Sequence, residues 1–108
     1  MDPVLKAKWT AALRSGNYAQ GRTVLKNTHN EFCCLGVLLD LAEPHGWTGG
    51  LACNGEVLHT SQHDDSAMPS RPFCERIGLP FDIAQTLATM NDEGSSFATI
   101  ADKIDADL

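Results

Sequence analysis

Two adjacent cysteines, Cys33 and Cys34, stand where a polar stretch gives way to an almost unbroken apolar run, "NEFCCLGVLLDL" from Asn30 to Leu41. A thiolate at the first turn of a buried helix is held by the positive end of the helix dipole, a setting that catalytic cysteines use. Cys34 would have it, with His59 in "EVLHT" as general base on a following strand and Gln20 as oxyanion donor. Together they would make a cysteine-dependent hydrolase. Against this, cysteine is among the most buried residue types, and a Cys-Cys pair entering a core helix is ordinarily packing. The chain is also short for such an enzyme and offers no evident third group to orient the histidine. Packing is therefore the expectation, and no catalytic residue is assigned.

Four Cys and four His raise the question of a metal. Structural zinc sites use tight pairs of ligands, and here only His59 and His63 have a usable spacing. They fall in a strand and then a loop, where residues four apart share no helical face, so no metal or other cofactor is expected. A small anionic ligand would be met where backbone N–H groups and aromatics converge. The segments are "YAQGR", with Tyr18, Gln20 and Arg22, the helix entry at Cys33 and Cys34, Trp47 beside two glycines, and Asn91-Asp92 behind a helix. Arg22 is the phosphate partner of this set. The plainer roles are half-buried packing for Trp47 and turn geometry for Asn91 and Asp92. Asp40, the one charge in the apolar run, either faces solvent or meets a specific donor. Because carboxylates are rarely buried, solvent is the expected side.

These residues need elements to position them. Asp2 followed by Pro3 makes an N-cap with proline at the first helical position, and apolar residues recur at helical spacing until Gly16, which predicts a helix over 3–15. The β-prone run Thr23 to Lys26, the turn "NTHN" and "EFC" predict a hairpin feeding straight into a helix from Cys34 to Ala42, ended by Pro44. Gly36 lets another backbone come close to that helix, which should be the central one. Asn54-Gly55 marks a second hairpin within 46–60, and "SQHDDSAMPSRP" reads as a loop. Short helices follow around 73–77 and 82–90, with "NDEGS" as a turn, and the apolar stripe Phe97, Ile100, Ala101, Ile104, Leu108 makes a last helix capped by Ser96. The fold class is α+β: one globular domain over 1–108, with four or so helices around a small antiparallel sheet of two hairpins.

Fourteen acidic against eight basic residues give a formal charge of −6, the wrong sign for gripping a phosphate backbone, so direct duplex DNA binding is not expected. "DEGSSFATIADKI" sounds like the first helix of a helix-turn-helix, but no recognition helix follows it. The acidic field does suit a basic protein surface. The first residues lack the apolar core of a signal peptide, and the longest apolar run is too short to span a bilayer, so the chain reads as cytoplasmic with reduced cysteines and no membrane contact. The apolar stripes of the first and last helices are narrow, leaving only a slight preference for a homodimer.

The order "KWTAALRSGNYAQG", "FCCLGVLLDLA", "GW", "GLP" and "MNDEGSSFATIADKI" resembles a family of small proteins encoded by tailed bacteriophages and prophages, over nearly the full length. The order Cys, any residue, Gly, apolar also loosely resembles the nucleophile segment of papain-like peptidases of the amidase type, the setting implied for the hydrolase alternative. The phage resemblance implies no catalytic residues. It implies an accessory role in the host cytoplasm, by counter-defence, in which the protein binds a host defence protein or sequesters a small nucleotide-derived immune signal.

Overall fold

A computed structural model of the chain describes residues 1–22, 24–27, 29–42, 47–48, 57–60, 68–69 and 71–108, with the backbone alone at 47–48 and 57–60. Among the described residues, five helices and five short strands make an α+β fold: α1 (Pro3–Ser15), β1 (Ala19–Gln20), β2 (Lys26–Asn27), β3 (Glu31–Phe32), α2 (Cys34–Ala42), β4 (Trp47–Thr48), β5 (Val57–Thr60), α3 (Arg71–Ile77), α4 (Phe81–Asp92) and α5 (Phe97–Asp107).

Local chemistry sets most of these boundaries. Asp2 caps α1 by accepting the Leu5 N–H through its carboxylate, and the helix stops at Gly16, whose φ of 77° is left-handed. Ser96 caps α5 by accepting the Thr99 N–H at 3.2 Å. The turn between β2 and β3 is held by Asn27, whose Oδ1 accepts the N–H groups of His29 and Glu31. Asn30 there takes a left-handed φ of 61°, which asparagine tolerates better than most residues.

The five strands order as β1-β3-β2-β5-β4. The expected hairpins are present: β2 pairs antiparallel with β3, and β4 with β5, Trp47 facing Thr60. Pairing of β2 with β5 joins them into one sheet. The Asn54-Gly55 turn, Pro44 and most of the 61–70 stretch lie outside the described residues. Three expectations are corrected. The sheet is mixed, because β1 runs parallel to β3, a strand too short to leave any alternation in the sequence. Helix α3 starts at Arg71 rather than Phe73, since Pro72 in the first turn lacks only an N–H that would have no helical partner. Helix α4 takes in Asn91 and Asp92, which were expected in a turn.

The core is centred on α2, whose residues Cys34 to Leu39 are all buried. It packs on α1 and α4, while α1 and α5 lie side by side. Each leucine so buried contributes about 1.5–3 kcal/mol of transfer free energy. Gly36 allows the tightest approach. A Cβ there would overlap the Leu25 carbonyl, so the chain before β2 lies directly on the helix backbone.

Candidate functional site

Helix α2 begins inside the protein, so its first N–H groups cannot turn to water. The sequence meets them in two ways. Cys33, just before the helix, accepts the Gly36 N–H on its sulfur at 3.4 Å, standing where a serine or aspartate cap would. Asn91, from the end of α4, accepts the Cys34 N–H on Oδ1 at 3.2 Å. The same Oδ1 accepts from Gln20 Nε2 at 3.0 Å, and Asn91 Nδ2 donates to the Gly21 carbonyl at 2.8 Å. Gln20 Nε2 also donates to the Ser95 carbonyl at 2.7 Å, and Trp9 Nε1–H donates to the Cys34 carbonyl at 2.9 Å. A fully buried asparagine thus ties β1, the α2 entry and the α4–α5 turn into one hub.

The two thiols belong to this hub. Both are buried, and Cys34 donates its S–H towards the Leu87 carbonyl at 3.5 Å. Burial pushes Cys33 up to about 11 and Cys34 well above the ordinary thiol range. The helix N–H groups pull the other way and are outweighed. At neutral pH both sulfurs are therefore neutral thiols, whereas a cysteine nucleophile needs the thiolate.

Arg22 is exposed and brings its guanidinium against Gly94, in the turn that follows Asn91 and Asp92. Gln20, Arg22, Cys33, Cys34, Asn91 and Asp92 therefore gather at one end of α2. Tyr18 faces elsewhere. It donates to Asp40 Oδ2 at 2.7 Å and meets Phe32 edge-on at 5.0 Å. Partial burial and the Asp40 bond push its phenol up to about 12. Asp40 thus has the specific donor, against the expectation of plain solvent exposure. Trp47 lies on the strand at the opposite edge of the sheet from Gln20, roughly 19 Å away across four strand spacings. His59 is on β5, paired with Thr48; the side chains of Trp47 and His59 lie outside the described residues, as does His63. Among the described residues, no three His, Cys, Asp or Glu side chains are placed to hold a metal, and no helix is long and apolar enough to cross a membrane.

Sequence reading missed a second feature. Where α3 turns into α4, a groove of about 320 Å³ is lined by Arg71, Cys74, Glu75, Leu79, Pro80 and Phe81, with Gly78 at the bend. The Arg71 guanidinium lies over the Phe81 ring, 4.1 Å from its centroid. The signal is the spacing of 71, 74 and 75 on one helical face, hidden because "SRP" reads as the end of a loop.

The profile of a family described as a domain of unknown function (DUF8296) matches residues 1–64, more than half of the 108. The chain belongs to this family. No curated protein and no solved structure gives a match. The DUF8296 span holds α1, the five strands and α2, and the Asn91 hub bonds it to residues beyond its end. The groove lies wholly outside the DUF8296 span.

Proposed function

We propose that this DUF8296 chain is a non-enzymatic accessory protein of a bacteriophage or prophage, acting in the host cytoplasm by binding, with a host defence protein as the leading partner. The observation that carries this is how the chemically capable residues are used. The thiols of Cys33 and Cys34 are buried and neutral, and the amides of Gln20 and Asn91 are engaged inside the chain. A nucleotide would need those amides free, so sequestration of a small nucleotide signal is the second choice. The phage setting rests on the sequence motifs, and the net charge of −6 favours encounter with a basic protein surface.

Alkylation with iodoacetamide at neutral pH tests the non-enzymatic half: Cys33 and Cys34 stay unmodified until the fold is lost. Fast labelling of Cys34 in the folded protein would restore the hydrolase built on Cys34 and His59. Thermal shifts against cyclic nucleotides and ADP-ribose derivatives test the choice of partner, because a ligand that binds the native state raises its apparent stability. A clear shift with one of them reverses the order of the two partners.

A further inference from the structure

We infer that the α3–α4 groove is a docking site for a peptide segment of a protein partner, one that presents an apolar side chain flanked by a carboxylate on one side and a cation on the other. The inference rests on the protein-binding reading above and locates its surface.

The floor of the groove is apolar, with Leu79 and Cys74 buried beneath it. Three of its backbone polar groups are matched within the chain: Gly78 N–H donates to the Glu75 carbonyl, Leu79 N–H to the Cys74 carbonyl at 2.8 Å, and the Ile77 carbonyl accepts from Asp2 N–H at 2.9 Å. An aliphatic side chain can enter over Leu79 and Cys74 without leaving a donor or acceptor of its own unpaired. The volume of about 320 Å³ stands at the lower end of small-ligand pockets, which run from about 300 Å³ upward. It suits one or two side chains.

The charges supply the specificity. Arg71 and Glu75 are spaced i, i+4 on α3, a pair that ordinarily meets on a helix surface. Among the described residues they form no ion pair with each other or with any other side chain; the Arg71 guanidinium lies over the Phe81 ring instead. Contact with the ring holds the guanidinium at the groove, where its N–H groups can meet a partner carboxylate. Glu75 is exposed on the same face, where it can meet a partner ammonium. A peptide of the pattern acid, apolar, base is complementary to this arrangement in charge and in polarity.

Amide NMR of the isotope-labelled full chain, titrated with acetyl-Asp-Leu-Lys-amide, tests it. The expected result is weak binding, with shifts concentrated on residues 71–81. Replacing the peptide's Asp by Asn weakens binding about tenfold, as does Arg71→Gln, the two changes together costing no more than either alone. Glu75→Gln weakens binding of the Lys peptide but leaves a peptide with norleucine in place of Lys unaffected. Both positions are exposed, and circular dichroism checks that the variants fold. Absent shifts, shifts lying elsewhere, or equal binding by Arg71→Gln overturns the inference. A host protein retained equally by the wild-type chain and by Arg71→Gln would also overturn it, while leaving the binding function intact.

Discussion

Asn91 uses both ends of its side-chain amide on backbone groups that have no other route to satisfaction, the Cys34 N–H and the Gly21 carbonyl. Truncating it leaves those two backbone groups buried and unmatched and takes one of two acceptors from the Gln20 amide. Asn91→Ala should therefore lower stability by about 3 kcal/mol, read from the urea midpoint at unchanged slope. Its residue type was legible in the sequence but its role was not. An Asn-Asp pair before a glycine is ordinary turn chemistry, and nothing local reports that the side chain reaches fifty-seven residues back to α2. Titration is a second residue-scale consequence. Cys33 rises from 9.0 to about 11, and Tyr18 from 10.0 to about 12, because burial favours their neutral forms. As pH rises the unfolded chain releases these protons first, so the native state holds more of them and stability falls. The thiol contribution is intact below pH 9 and lost by about 11, and that of the phenol is lost between 10 and about 12. Thermal unfolding followed through the alkaline range should show melting temperature falling in that window, with Tyr18→Phe flattening its upper part.

At the scale of elements, the meeting of α2 with the chain before β2 is the tightest constraint. Leu25 cannot retreat from Gly36, because its carbonyl also accepts the Cys33 N–H at 3.2 Å. Gly36→Ala should cost at least about 2 kcal/mol in spite of alanine's better helix propensity, measurable by denaturant unfolding. Ser96→Ala removes the α5 cap and should cost about 1 kcal/mol in the same assay. Gly36 and Ser96 were both readable from sequence, and so were the bounds of α1 and α2, because caps, breakers and 3.6-residue periodicity are local signals. The parallel pairing of β1 with β3 was not. Two residues carry no period, and what places β1 is non-local: the Gly21 N–H donates to the Phe32 carbonyl at 2.7 Å and Gln20 reaches Asn91. The groove escaped for a similar reason, since α3 and α4 could be drawn separately but not the angle between them.

For the molecule as a whole, the family match and the folding unit differ in extent. Residues 1–64 carry the DUF8296 match, yet the hub at α2 and the core it belongs to are completed by Ala84, Leu87, Asn91, Ile100 and Ile104, all fully buried. A fragment ending at residue 64 should show no cooperative thermal transition, whereas the 108-residue chain should show one, and calorimetry of both checks this. The packing of α1 against α5, tied at the surface by Arg14 to Asp102 and Asp105, also has a consequence in time. Synthesis delivers α1 before α5, so the buried face of α1 leaves the ribosome long before the helix that packs beside it. Closure joins two distant parts of the chain and so proceeds at the slower pace of non-local topologies. Until then the nascent chain displays an apolar helix face, the kind of surface that chaperones shield from aggregation.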